Sequence, residues 1–386
     1  MKVLYIQDQE IGHCEGHFYY SKSEHFFSRY LYGLRDEDTL LVYTGLIDIP
    51  KETISKYKDV SNPRIKFQKL PEFRKITNLP SAIKQLSIVV KSADFCYLRT
   101  GLFSSIISFL CRKYKIPYMS VVNEDVFKNT KCHKSIKVRM SAYPLYWLNR
   151  SAIYKANYAC YVTQDYLQKQ YPCKGKTLGC SDIEYLELND TVVEFRKKKI
   201  RGNNGNIIIG TVGSVSALLK GQDTVIKSLA FLKEKGLTHF EYQMVGVGEP
   251  NRLRKLSQEL GVEEYIKFIG PLNHDDVLKW FETIDLYIHP SRSEGLPRTI
   301  LEAMTKATPC ICSAVGGVPE LINQKYLFSY NGDEVRDLAR LIETMTKDEM
   351  VIESERNYNH SKKYKPSILE NRRKDFYEMV LNENRK

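Results

Sequence analysis

Short apolar runs alternating with amphipathic stretches govern what this chain can fold into. In the first half the runs are KVLYIQ (2–7), TLLVYT (39–44), FCYLR (95–99), PYMSVV (117–122) and ACYVT (159–163). In the second half they are NIIIGTVG (206–213), FEYQMVG (240–246), YIKFIG (265–270), DLYIHP (285–290) and PCICSA (309–314). Short continuous runs of this kind suit strands buried on both faces, and the helical stretches between them supply the crossovers that a parallel sheet needs. At 386 residues the chain exceeds one ordinary core, so two domains are expected. Both halves open on an apolar strand, a glycine-bearing turn and a helix, VLYIQDQEIGHCEGHF in the first and IIIGTVGSVSALLKGQD in the second. Each therefore reads as the start of a Rossmann-like unit. The boundary falls near 185–205, where LELNDTVVEFRKKKIRGNNGN mixes charge, asparagine and glycine without apolar periodicity. The expected layout is α/β, with one Rossmann-like domain over 1–190, a second over 191–365 and a helix over 366–386. That helix presents Ile368, Phe376, Met379, Val380 and Leu381 as its apolar face. Doubly wound units bind ligands at the carboxyl ends of their strands, so two facing ones would enclose a cleft.

Composition narrows the function classes. Apolar content of 42% and charged content of 27% are those of a globular protein. MKVLYIQD enters a strand pattern at once and meets Asp8 and Glu10 early, so it does not read as a signal peptide. The longest apolar run, LFSSIISFLC (102–111), is about half the roughly 20 residues needed to span a bilayer, and a cytoplasmic location is expected. The nine cysteines are scattered without a C-x-x-C pair, and adjacent Cys132 and His133 lack further ligands nearby. Free thiols are therefore expected, and no metal. Net charge is +12, concentrated in two runs. KNTKCHKSIKVR (128–139) carries Lys128, Lys131, Lys134, Lys137 and Arg139, and FRKKKIR (195–201) is the second. Such runs suit a nucleic acid, an anionic membrane or an anionic small substrate, or are simply solvated faces.

The loop HPSRSEGLPRTILEAM (289–304) places Glu294 in a turn after an apolar strand and Glu302 inside the helix that follows. Glu302 could form exposed i,i+4 ion pairs with Arg298 and Lys306. Two other strand ends should converge with it. After strand 206–213, Gly213 lets the backbone approach a ligand, Ser214 follows, and Lys220 precedes Gly221 where a helix begins. GSVSALLKG is not a P-loop, yet an amine beside a helix amino end suits a diphosphate. MVGVGEP (244–250) sets Gly246 at the next strand end, for close approach of a base or ribose or for a tight turn. Pro297 suits the first helical position, and the amides of Gly295 and Leu296 lack intrahelical partners and can reach ligand oxygens. Two carboxylates at one strand–helix junction can each accept hydrogen bonds from a pair of vicinal hydroxyls, as sugars and ribose provide. They would repel the phosphates of a nucleic acid, which is not an expected partner.

In these residues the second half resembles the donor-binding domain of retaining GT-B glycosyltransferases, glycosyltransferase family 4 in particular. The matches are Lys220-Gly221, MVGVGEP, PSRSEGLPRTILEAM and SAVGGVPELI (313–322), in the family's order over about 206–322. The resemblance implies two facing Rossmann-like domains, with the C-terminal helix packing back on the first. It implies that Glu294, helped by the backbone of Gly295, Leu296 and Pro297, contacts the donor sugar, that Glu302 holds the ribose hydroxyls, and that Lys220 neutralises the diphosphate as the glycosidic bond breaks. The donor would be a UDP- or GDP-linked sugar, no cofactor or metal would be required, and the configuration would be retained. This chain departs from the family at Ser214-Val215-Ser216, where many relatives carry an arginine, and at Asn123-Glu124, where many place a histidine-aspartate pair that contacts the sugar. Gly12 and Gly16 resemble the glycine turn that faces the diphosphate, with His17 following. The implied acceptor is a glycan or lipid-linked glycan of bacterial cell-surface polysaccharide assembly. The basic run 128–139 and the aromatic YPLYWLNR (143–150) after it, in the acceptor domain, would attach loosely to the inner face of the plasma membrane. A nucleotide-sugar epimerase of the same fold and a non-catalytic nucleotide-sugar-binding protein are the alternatives. A glycosidase dyad would leave a nucleotide site without purpose.

Overall fold

The computed structural model describes residues 1–21, 26–71, 78–133, 135–183 and 186–385, so Lys134 of the basic run lies outside the described residues. The chain divides into two compact units. The first comprises Met1–Phe127, Ser141–Glu184 and Leu369–Lys386, and the second Lys128–Met140 and Tyr185–Ile368.

The first unit is built on β1 (Lys2–Cys14), β2 (His17–Tyr20), β3 (Thr39–Asp48), β4 (Lys58–Asp59), β5 (Ile65–Lys69), β6 (Phe95–Arg99), β7 (Tyr118–Val122), β8 (Tyr158–Tyr161) and β9 (Lys176–Gly179). The parallel strands run in the order β5-β3-β1-β6-β7-β8-β9; β2 pairs antiparallel with the distal part of β1, and β4 pairs antiparallel with β2. Alternation along β1 sends Leu4 and Ile6 into one apolar layer and Val3 and Tyr5 into the other. Helix Leu102–Tyr114 holds the apolar run 102–111 and buries Ile107, Leu110 and Cys111 in the first of these layers. No helix among the described residues is long and apolar enough to cross a membrane. The second layer receives the C-terminal helix Pro366–Glu383 through Tyr377, Val380 and Leu381, with Tyr377 stacked on Tyr97 at 5.4 Å between ring centroids. Ile368, expected on the buried face of that helix, is 45% exposed, and Leu369 is buried in its place.

The opening of the first unit differs from the strand–turn–helix expected. β1 continues through Gly12 to Cys14, and the chain then reverses into antiparallel β2 with Cys14 opposite His17. The two-residue connection has φ of 49° at Glu15 and 84° at Gly16, the double positive φ of a hairpin turn whose twist matches its strands. Gly16, expected at the diphosphate, therefore serves an exposed hairpin tip.

The second unit holds β10 (Ile207–Val212), β11 (Phe240–Val245), β12 (Ile266–Gly270), β13 (Leu286–His289), β14 (Cys310–Ser313) and β15 (Leu327–Phe328). All are parallel, in the order β12-β11-β10-β13-β14-β15. The order reverses direction between β10 and β13, so their carboxyl ends open a crevice no crossover covers. The basic run 195–201 lies in helix Thr191–Gly202, and its central arginine is structural. Arg196 is 1% exposed and donates to the carbonyls of Phe281, Ile284 and Lys306 and to the Thr308 hydroxyl, so it closes the ends of two helices. Lys199 pairs with Asp285. The other basic run falls in the helices Val126–Lys131 and Ile136–Met140, and Lys128–Met140 groups with the second unit rather than with the first, where its sequence position suggested. One local tie is the Ser293 hydroxyl, which donates to the Asn129 side chain at 2.7 Å.

Candidate active site

Two turns leaving the second sheet build the site. β10 ends at Val212, and the chain passes Gly213 and Ser214 to the turn Leu218–Lys220 before helix Gln222–Glu234. β13 ends at His289, and loop 290–297 leads into helix Arg298–Thr305. The turns are pressed together at Gly221, where φ is +69° and a Cβ would lie 1.9 Å from the Pro290 carbonyl oxygen. Any side chain there would separate them. Arg292 completes the join: its amide donates to the Leu219 carbonyl at 2.8 Å, and its guanidinium forks onto Asp223 at 3.0 and 2.8 Å. From the far side the Gly317 amide donates to the Gly295 carbonyl at 2.7 Å, which is the work of the SAVGGVPELI segment.

The result is that Lys220 Nζ stands 2.8 Å from Glu294 Oε1. The same carboxylate lies 3.1 Å from His289 Nε2, while His289 Nδ1 lies 3.1 Å from the Tyr287 hydroxyl, itself 3.1 Å from that of Thr299. His289 is 2% exposed, and burial pushes its pKa down, so the imidazole is neutral. The network then assigns the proton to Nε2, donating to Glu294, while the Tyr287 hydroxyl beside Nδ1 donates to Thr299. Burial pushes the Glu294 carboxyl up, but the His289 hydrogen bond and the Lys220 charge outweigh it and hold the group well below the usual carboxylate range. Glu294 is thus an anion whose direction is fixed from both sides.

Glu302 has a different environment. Its side chain is 13% exposed, the nearest basic side chain is His274 at 3.9 Å, and burial raises its carboxyl above the ordinary value. Lys306, the expected i,i+4 partner, pairs instead with Glu282 at 2.8 Å. Among the described residues the Glu302 carboxylate accepts no hydrogen bond, which leaves its oxygens for a ligand. Its charge is felt at Tyr287, so it lies near the chain of bonds that ends on Glu294.

The remaining expected positions divide. Gly213 makes room for the Lys220 stem, which a Cβ would meet at 3.1 Å, and the Ser214 hydroxyl lies 3.1 Å from that of Ser216. At Gly246 the close approach is to backbone, since a Cβ would sit 2.1 Å from the Gly213 carbonyl oxygen. This lets the ends of β10 and β11 pack closely together. Pro297 is the N-cap, one position before the helix, and has no N–H to offer. The amides of Gly295 and Leu296 donate to nothing among the described residues and remain available. In the first unit Asn123 follows β7, and its side-chain oxygen faces the Arg99 guanidinium at 2.5 and 3.1 Å. Among the described residues no group of three His, Cys, Asp or Glu is placed to hold a metal.

Sequence reasoning did not single out His289, Arg292 or Arg99. His289 had one usable signal, a polar residue ending a fully buried strand just before Glu294.

Residues 192–365 match the model of the family described as glycosyl transferases group 1. That match lies within the second unit, and the chain is a glycosyltransferase. It is 28% identical over 371 residues to Protein CapJ of Staphylococcus aureus, covering 92% of this chain and 90% of that one. The structure of HepE from Anabaena in complex with UDP-glucose resembles the glycosyltransferase with a TM-score of 0.64 at 18% identity, over 99% of this chain and 100% of that one. That of WaaG, a glycosyltransferase involved in lipopolysaccharide biosynthesis, does so with a TM-score of 0.63 at 16% identity, over 97% and 99%. At those identities the likeness speaks for the fold, and two Rossmann-like units in one chain are the GT-B class the motifs implied.

Proposed function

We propose that the chain transfers a sugar, with retention of configuration, from a UDP- or GDP-linked donor to a hydroxyl of a glycan or lipid-linked glycan in cell-surface polysaccharide assembly. The observation that carries this reading is the Lys220–Glu294 pair at 2.8 Å where β10 and β13 end. In the free protein each charge holds the other in place. An arriving donor divides them: its diphosphate takes the ammonium, and its sugar hydroxyls take the carboxylate and the amides of Gly295 and Leu296. As the glycosidic bond lengthens, negative charge grows on the leaving diphosphate, and a fixed ammonium stabilises that charge more than it stabilises the bound donor. Glu302, with unused acceptor oxygens, receives the ribose hydroxyls. No step in this scheme draws on a metal or cofactor. HepE, crystallised with UDP-glucose, and the lipopolysaccharide enzyme WaaG support the donor class and the setting.

The test is to incubate the protein with UDP-, GDP- and ADP-sugars and measure nucleoside diphosphate release with and without glycan acceptors. Acceptor-dependent release from one donor is expected. Conversion of the donor sugar without an acceptor would point to an epimerase, and binding without turnover to a sensor.

Attachment to an anionic membrane forms part of the same reading. Ile136 and Met140 are 59% and 73% exposed beside the exposed Lys137 and Arg139, and Tyr143 and Trp147 follow in the next helix at 57% and 62%. Each cation adds about 1 kcal/mol at an anionic surface. Co-sedimentation with phosphatidylglycerol vesicles should weaken with salt and on charge reversal of Lys137 and Arg139. Binding indifferent to both would remove the membrane from the scheme.

A further inference from the structure

The first unit holds a cation that has no carboxylate partner among the described residues. Arg99 ends β6, beside the point where the strand order reverses between β1 and β6. Its guanidinium is surrounded by the hydroxyls of Tyr5, Tyr20 and Tyr30, by the Asn123 side-chain oxygen, and by the Phe26 ring at 5.8 Å. All three tyrosines are 2% exposed or less, and burial raises their pKa values, so they are neutral hydroxyls and do not offset the charge. Among the described residues no carboxylate lies within ion-pair distance of Arg99, and Glu124 acts on it only from farther off. Arg99 is half-buried, and a guanidinium held among neutral groups favours an anion that can reach it.

The space beside it fits that account. A cavity of about 20 Å³ lies at the carboxyl ends of β6, β7 and β8, lined among others by Arg29, Arg99, Arg373, Asn123 and Asp182. Arg373 is 6% exposed and spends one N–H on the Ser181 carbonyl at 2.5 Å. Three guanidinium groups against one carboxylate make the lining net positive. The volume admits a group about the size of a water molecule, which suits a carboxylate and is tight for a phosphate. The fork of an arginine matches a planar carboxylate through two parallel hydrogen bonds.

We propose that Arg99 receives the carboxylate of an acidic sugar, so that the acceptor carries a uronic acid. This rests on the reading of the chain as a glycosyltransferase whose first unit takes the acceptor.

The test uses the full chain and isothermal titration with p-nitrophenyl β-D-glucuronide, its methyl ester, the corresponding glucoside and glucose 6-phosphate. Titration of UDP and GDP into the same samples reports on the donor site. The glucuronide should bind at least tenfold more tightly than the ester and the glucoside, and Arg99→Gln should abolish that preference while nucleoside diphosphate binding stays within twofold. The ester comparison needs no variant, so it decides the matter even where Arg99→Gln fails to fold. Equal binding of glucuronide and ester overturns the proposal, as does tighter binding of glucose 6-phosphate. If the nucleoside diphosphate binds and the glucuronide preference is absent, this inference alone fails; if neither binds, the proposed function fails with it.

Discussion

The two units share a strand order around their switch points and differ in how charge is balanced there. In the second unit, Lys220 faces Glu294 at 2.8 Å and Arg292 forks onto Asp223, so each cation has its anion before any ligand arrives. In the first, Arg99 meets neutral hydroxyls, an amide and a ring, and no carboxylate among the described residues lies within ion-pair distance. Topology thus fixes where a ligand sits, whereas side chains fix what it is. A paired site must exchange partners with its ligand, and removing either member leaves the other without its counter-ion. The unpaired site awaits its counter-ion.

Four substitutions test that contrast, taken from the largest expected effect down. Glu294→Ala should reduce sugar transfer at least a hundredfold, about 3 kcal/mol of transition-state stabilisation, and lower the melting temperature because Lys220 and His289 lose their shared anion. A variant within tenfold of the parent in steady-state turnover would break the contrast at its strongest point. Arg196→Met removes a cation whose role is to satisfy buried carbonyls, and it should cost about 3 kcal/mol in urea unfolding. Stability within 1 kcal/mol of the parent would mean that those carbonyls find other donors.

His289→Phe fills the space but takes away the hydrogen bond that the imidazole donates to Glu294. Stability should fall by about 2 kcal/mol. The pH profile should move as well. Glu294 has a folded pKa below its unfolded value, so its contribution is present above the ordinary carboxylate range and is lost as pH falls through the folded value. Without His289 that folded value rises, and transfer should begin to fail at a higher pH on acidification. An unmoved acid limb would show that Lys220 alone sets the anion.

Glu302→Gln has the smallest effect and the opposite sign. Burial raises this carboxyl, so its contribution is fullest below the ordinary carboxylate range and is lost as pH rises through the folded value. The variant should match the parent at low pH and be more stable at pH 7 by about 1 kcal/mol, while its affinity for the nucleoside diphosphate drops about tenfold. A less stable variant at pH 7 would contradict the description of Glu302 as a buried acid awaiting hydroxyls.

Much of this was legible in the sequence for a physical reason. Parallel strands buried on both faces are continuous apolar runs, so FCYLR, FEYQMV and LYIH announced themselves. Edge strands did not: IKFQK alternates with polar residues, and β2 and β4 gain their identity only by pairing, β2 with the far end of β1 and β4 with β2. The glycines misled where one residue type serves two purposes. Gly16 fits a phosphate-binding turn and a hairpin tip equally well until the partner strand is known, and Gly246 fits a base or a neighbouring carbonyl. Lys220 and Glu294 were readable because short loops carry them. His289 and Arg99 were not, because a single polar residue closing an apolar strand gives no sign of what faces it in space.

The most direct test of the central claim separates the diphosphate from its nucleoside. Calorimetric titration of uridine and UDP, or guanosine and GDP, into the parent and Lys220→Ala measures what the ammonium holds. The nucleoside should bind both proteins alike, and the diphosphate should lose at least tenfold in affinity with the variant. If Lys220→Ala binds the nucleoside diphosphate as tightly as the parent does, the pair at 220 and 294 does not grip an activated sugar.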